Sequence, residues 1–273
     1  MGNEWILHLF ACGSVLAAGL MSAAALGERR GYPWKLSTGF AAGALLLVAV
    51  CGGAGILNLG RPQLVIGALQ NPGSGIFWEL VFSMLFFATA AGYAAANIRG
   101  AEESTLKILS AAAAFAAAGI TVGLGLRFYM PWRAAWSTLS LCTVFLGWAL
   151  SLSGFAFTIL RSRADEAKDD PVVEVFVPLL GRLLVLAYPA ALILAGSEES
   201  QTEIDRCLTG ELAALFWGAV ILAGLVVPTV LSCVRSCRNT VSSLIGIAAV
   251  LTGTAFFMQI ITTLGAAQWH FFQ

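Results

Sequence analysis

The chain has 273 residues, of which 59% are hydrophobic and only 11% are charged. Its mean hydropathy of +0.85 lies far from the composition of soluble domains and is typical of an integral membrane protein. Lys and Arg together number 15, as do Asp and Glu, so net charge gives no indication of nucleic-acid binding.

Eight apolar runs are long enough to cross a bilayer, and we number them spans 1 to 8. Open sheets cannot span lipid and the runs lack a two-residue alternation, so the sequence predicts helices. The fold expected is an all-α integral membrane protein, a bundle of eight transmembrane helices in one polytopic domain over 1–273. Arg29 and Arg30 follow the first run instead of preceding it, which argues against a cleavable signal peptide. The predicted ranges are 5–26, 36–57, 76–97, 106–128, 138–160, 174–195, 211–233 and 242–264.

The distribution of Lys and Arg predicts the orientation of the bundle. Basic residues are concentrated in the loops after the odd-numbered spans, and the positive-inside rule places such loops in the cytoplasm. Both termini are therefore predicted to lie outside. The basic side carries Arg29, Arg30, Lys35, Arg99, Lys107, Arg161, Arg163, Lys168, Arg235 and Arg238, against Arg61, Arg127, Arg133 and Arg206 on the other side.

A group of polar residues lies on the predicted outer side. Asn58 and Arg61 follow span 2, Glu79 falls in the first turns of span 3, and Arg127 and Tyr129 end span 4. Polar groups at membrane depth are costly, so they usually have a function. A few polar anchors in an apolar wall suit a pocket for a redox lipid such as a quinol.

Glu79 is the residue of this group that can transfer protons. The dipole of span 3 favours its carboxylate, whereas the apolar surroundings favour the neutral acid, so Glu79 is suited to proton exchange. The alternative is a structural ion pair of Glu79 with Arg61 or Arg127. Arg127 could equally orient a quinone carbonyl or be an interfacial arginine whose charge reaches the headgroups. Asn58 can form hydrogen bonds but cannot titrate.

Histidine and cysteine usage limits the cofactors of the chain. His8 and His270 lie near the predicted outer ends of spans 1 and 8, whereas a membrane dihaem protein needs axial ligands at two depths. Cys233 and Cys237 are the one closely spaced cysteine pair, too few ligands for an iron–sulfur cluster or a structural zinc site. The sequence therefore predicts no intrinsic haem, metal or iron–sulfur cluster.

A small-molecule or ion transporter is the main alternative class. Transporters place polar residues and broken helices near the middle of the bilayer. Here the mid-span positions are almost all apolar, Ala, Gly or hydroxyl-bearing, and the charges crowd one end of the bundle. A pocket at that end is expected in preference to a translocation path.

Three features resemble the DmsC family, the eight-span membrane anchor subunits of DMSO reductase-type molybdoenzymes. They are the string Asn58-Leu59-Gly60-Arg61-Pro62, its spacing to Glu79, and the Arg127-x-Tyr129 ending of span 4. The resemblance covers the whole chain in span number and topology, and residues 55–150 in motif.

This resemblance implies a function. The chain would anchor a four-cluster iron–sulfur subunit and a molybdopterin catalytic subunit at the outer face of the bacterial cytoplasmic (inner) membrane. It would bind menaquinol from the membrane lipids as a substrate, oxidise it and pass the electrons outward. The terminal reaction would take place in a partner subunit. Glu79 matches the glutamate of the family's quinol site. Arg61, Arg127 and Tyr129 are the further candidate quinol contacts.

Asn58 departs from the family pattern, because the quinol-site histidine of the family falls on this position. Three interpretations stay open: Glu79 handles proton release alone, His8 substitutes from the same side, or the site is altered or weak. A vestigial quinol site would make the chain a purely structural anchor. If the chain does transfer electrons, its partner is expected on the outer side, where 60–75, 131–137 and the acidic linker 196–210 lie. The first two segments contain residue types that are enriched at interfaces, namely Arg61, Arg133, Trp132 and Trp136.

Overall fold

The computed structural model describes residues 4–57, 65–164 and 169–266. These residues contain eight helices long and apolar enough to cross a membrane and no strand, which confirms the predicted all-α bundle of eight spans. The predicted ends differ from the observed ones by at most four residues, as at the start of span 7 (Leu215 against 211). The spans run over Trp5–Arg29, Trp34–Leu57, Gly75–Ile98, Glu103–Arg127, Ser140–Ser162, Val172–Ala195, Leu215–Cys233 and Thr240–Gly265.

Spans 1 and 5 form the centre of the bundle and are its most buried helices. Span 1 contacts spans 2, 4, 5 and 8, and span 5 contacts spans 1, 4, 6 and 8. Spans 3 and 7 lie at the periphery, against spans 4 and 8 respectively. Large side chains such as Trp148, Phe145 and Phe257 fill the space between the central helices. Spans 2, 3, 6 and 7 consequently leave much of their apolar surface for lipid.

Spans 6 and 7 are not regular α-helices. Each contains a π-helical segment, Val172–Phe176 in span 6 and Leu215–Val226 in span 7. A proline follows each segment, Pro178 and Pro228. Because a proline ring collides with the carbonyl four residues before it, a wider turn at that point relieves the clash without ending the span.

The two ends of the bundle differ in their charged contacts. We call the end where the odd-numbered spans begin the pocket end and the opposite end the basic end. At the basic end Asp169 contacts Arg161 and, at 3.1 Å, Arg235. Asp170 pairs with Arg30, and the buried Glu174 pairs with Arg161. These ion pairs tie the loop before span 6 to spans 1, 5 and 7.

The predicted linker 196–210 contains an additional helix, Glu198–Leu208. Ser197 caps it by accepting a hydrogen bond from the Ser200 backbone N–H at 3.1 Å. Its acidic patch divides into two parts, since Glu198, Glu199 and Asp205 are exposed whereas Glu203 is buried, 3.0 Å from Arg206. Burial raises the pKa of the Glu203 carboxyl, and Arg206 opposes this increase. Only the exposed acids are therefore available to a partner.

Candidate functional site

A cavity of ≈ 320 Å³ lies at the pocket end of the bundle, among the first residues of spans 1 and 3 and the last residues of spans 2 and 4. Its wall is mostly apolar, and its ionisable side chains are those of Glu79 and Arg127. Cavities of this size and character are typical of small-molecule sites. The lining residues are Ile6, Leu7, Phe10, Val48, Ala49, Gly52, Gly53, Gly55, Ile56, Val65, Ile76, Glu79, Leu80, Ser83, Phe87 and Arg127.

Glu79 and Arg127 form an ion pair in this wall, with 3.5 Å between Glu79 Oε1 and Arg127 Nη1. The Glu79 side chain is 11% exposed and that of Arg127 27%. The pairing of these two residues, predicted as one alternative, is thus present, and the second Glu79 carboxylate oxygen, Oε2, is buried and has no hydrogen-bond partner among the described residues.

Two glycines bring spans 3 and 4 close enough to form the ion pair. A Cβ atom on Gly75 would collide with the backbone of Arg127, and one on Gly123 would lie 2.8 Å from Glu79 Cα. Small residues allow helix backbones to approach in this way. The position of Glu79 relative to Arg127 therefore depends on glycine at both positions, because a side chain at either one would push the two helices apart.

The remaining predicted site residues lie in different surroundings. His8 is partly exposed on span 1 and is not among the residues lining the cavity, although its neighbour Leu7 is. Tyr129 is 42% exposed beyond the end of span 4 and does not line the cavity either. Asn58 and Arg61 lie outside the described residues.

Sequence reasoning missed the aromatic and hydroxyl parts of the wall. Ser83 follows Glu79 by one helical turn, and its hydroxyl donates to the Glu79 backbone carbonyl at 2.7 Å. The four-residue spacing was the available signal, because residues i and i+4 share a helix face. Phe10 and Phe87 come from spans 1 and 3, and no sequence pattern relates these two positions.

The 131–137 loop is held against the end of span 8. The Trp136 indole N–H donates to the Ile261 carbonyl at 3.1 Å, and the Arg133 guanidinium donates to the Gly265 carbonyl. Arg133 also lies 4.9 Å from the Trp136 ring centre. Trp132, in contrast, is 76% exposed. Arg133 and Trp136 therefore have structural contacts within the chain, and Trp132 is the aromatic side chain of this loop that is open to a partner.

Arg182 is an exception to the mid-span positions, which were expected to be almost all apolar, Ala, Gly or hydroxyl-bearing. It lies inside span 6, ten residues after Val172, and is only 3% exposed. The Lys and Arg count that gave the orientation did not include it. Its contacts are separate from the cavity described above.

The described residues contain no group of three or more His, Cys, Asp and Glu side chains placed to hold a metal ion. Comparison of the sequence with protein-family models and with curated proteins finds no match to this chain.

Proposed function

We propose that the chain is a quinol-oxidising membrane anchor subunit of a molybdopterin oxidoreductase complex. The observation that carries this proposal is the apolar cavity of ≈ 320 Å³ with the Glu79–Arg127 ion pair in its wall, at the end of an eight-span bundle. The sequence resemblance to the DmsC family supplies the identity of the ligand, menaquinol, and of the partners.

The cavity has the properties that a quinol site requires. A quinol combines a flat aromatic head bearing two hydroxyl groups with a long hydrocarbon tail. Phe10 and Phe87 provide aromatic surface, and the Glu79 carboxylate in the wall provides a hydrogen-bond acceptor. Ile56 and Phe87, which line the cavity from spans 2 and 3, are 36% and 37% exposed. The tail can leave the cavity between these two spans and enter the bilayer.

Oxidation of a quinol to a quinone releases two electrons and two protons. In the proposed reaction one quinol hydroxyl donates a hydrogen bond to the Glu79 carboxylate, which receives its proton as the electrons leave. The other hydroxyl releases its proton to water at the pocket end, and Glu79 then releases its own proton to the same side. Arg127, within ion-pair distance of Glu79 Oε1, stabilises the charged form of Glu79 between turnovers. The electrons pass to an iron–sulfur cluster of the partner subunit.

The partner must dock on the pocket end, because in this proposal the chain has no redox group of its own that could carry electrons across the bilayer. The resemblance to the DmsC family implies that the membrane is the bacterial cytoplasmic membrane. The Lys and Arg asymmetry supports an outward-facing pocket end with both termini outside. The four-cluster iron–sulfur subunit would contact the chain there, and the molybdopterin subunit would follow it.

The direct test uses the complex. The chain is co-expressed with the proteins encoded beside its gene, purified, and given a reduced menaquinol analogue while the visible and paramagnetic signals of iron–sulfur clusters are recorded. We expect cluster reduction that depends on the chain and is blocked by quinol-site inhibitors. A stable complex without quinol-dependent reduction would establish a purely structural anchor. A chain that purifies alone and catalyses uptake in vesicles would establish a transporter.

Docking on the pocket end makes a second prediction. In a cysteine-free background, a thiol placed at the exposed Trp132 position (Trp132→Cys) should lose most of its labelling by a membrane-impermeant maleimide when the partner binds. The matched variant Arg29→Cys, at the exposed last residue of span 1 on the basic end, should be labelled from the cytoplasmic side with or without the partner. Protection at position 29 instead of 132 would reverse the orientation and exclude the electron path.

A further inference from the structure

Arg182 is a charged side chain buried near the middle of span 6. It lies ten residues after Val172 and thirteen before Ala195, and it is 3% exposed. Span 5 contacts it on one side and span 7 on the other. A charge at this depth is expensive and usually marks a functional site.

Neutral hydroxyl groups satisfy three of the five N–H donors of this guanidinium. Nε donates to Ser151 Oγ at 3.1 Å, and Nη1 donates to Thr229 Oγ1 at 3.3 Å and to Ser232 Oγ at 2.8 Å. Nη2, with the other two N–H groups, is buried and has no hydrogen-bond partner among the described residues. Two donors on one nitrogen therefore remain for a ligand.

The hydroxyl groups do not compensate the charge. The Thr229 hydroxyl donates its own proton to the Leu225 carbonyl at 2.6 Å, and the Ser232 hydroxyl donates to the Pro228 carbonyl at 2.9 Å. Their oxygens are thus free to accept from Arg182, but they carry no negative charge. Phe155, whose ring centre lies 5.5 Å from the guanidinium carbon, adds a weaker cation–π contact.

No carboxylate in the described parts of the spans is available to Arg182. Each of those acids already has another partner: Glu28 accepts a hydrogen bond from Tyr93, Glu79 pairs with Arg127, Glu103 with Lys107, and Glu174 with Arg161. A buried cation without a counter-charge is strongly unfavourable, and a water molecule at Nη2 would satisfy its donors without offsetting that charge.

We propose that Arg182 binds a small inorganic anion of the halide class, such as chloride, at Nη2, inside the bundle formed by spans 5, 6 and 7. A monovalent ion beside Nη2 accepts a hydrogen bond from this nitrogen and neutralises the guanidinium. The 3% exposure of Arg182 favours a small ion over a lipid phosphate, which would need an open groove. The residues that would hold the ion do not line the cavity beside Glu79, so this proposal does not depend on the quinol proposal.

Halide-dependent stability of the purified full chain in detergent tests this proposal. The unfolding temperature is measured at constant ionic strength while sodium gluconate is replaced by sodium chloride or bromide. Ligand binding to the folded state should raise the midpoint by roughly 5 °C at saturation. Arg182→Met, which keeps the length of the side chain and removes its charge, should lose this dependence.

Two control variants separate the specific site from general salt effects. Arg30→Met removes an exposed arginine that pairs with Asp170 and should keep the halide dependence. The double variant Asp165→Asn, Glu166→Gln removes two acids of the 165–168 segment and should keep it too. Halide dependence that appears or increases only in the double variant would point to an internal counter-ion and overturn the proposal.

Crystals grown in bromide provide a readout that does not depend on the folding of any variant. We expect an anomalous bromide peak beside Arg182 Nη2. A water molecule alone at that position, a lipid phosphate in its place, or an unfolding temperature insensitive to halide would each overturn the proposal.

Discussion

Replacing Glu79 by glutamine should lower quinol-dependent reduction of the partner's iron–sulfur clusters by at least about tenfold, because the amide cannot accept the proton that quinol oxidation releases. Glutamine keeps the size of the side chain and its hydrogen-bonding capacity, so quinol binding should change less than turnover. The measurement is the steady-state rate and KM with a menaquinol analogue, using the purified complex.

The matched control for this variant is Glu103→Gln. Glu103 also lies in the first turn of a span, but at the basic end, 71% exposed and paired with Lys107. Its replacement should leave the rate unchanged. If Glu79→Gln retained the full rate, Glu79 would have no part in proton transfer, and its ion pair with Arg127 would be structural only.

Replacing Gly123 by alanine should destabilise the chain by about 1–3 kcal/mol, the usual cost of forcing an extra methyl group into a packed interface. The new Cβ would lie 2.8 Å from Glu79 Cα, so spans 3 and 4 must separate where the ion pair forms. We expect a lower unfolding temperature together with weaker quinol binding, measured by thermal denaturation and by the KM for the quinol analogue.

Gly39→Ala is the control with the same chemical change. Gly39 lies in span 2 with open space where its Cβ would be, and alanine is the better helix former. Its unfolding temperature should stay the same or rise. Equal behaviour of the two variants would mean that the close approach of spans 3 and 4 does not control the pocket.

Hydropathy was sufficient to predict the spans because a helix facing lipid must be apolar over a length fixed by the bilayer. That constraint is local, and each span can be read from its own residues. The cluster of Glu79 and Arg127 could also be anticipated, since alternating spans return the chain to the same end of the bundle. Their pairing at 3.5 Å depends in addition on Gly75 and Gly123, which determine how closely the backbones approach.

The helix Glu198–Leu208 was not predicted, because it does not cross the membrane and hydropathy identifies only the membrane-spanning helices. Its signals were local nonetheless, namely the cap at Ser197, the acidic first turn, and the buried positions Ile204 and Cys207 at a three-residue spacing.

The sequence by itself thus determined which segments cross the membrane and which end of the bundle carries Glu79 and Arg127. Only the tertiary structure decided the cavity wall, the attachment of Arg133 and Trp136 to span 8, and the surroundings of Arg182. Each of these depends on the rotation of one helix against another. That rotation is set by contacts between residues far apart in the chain, such as Arg182 with Ser151 and Ser232, and the apolar length of a span carries no information about it.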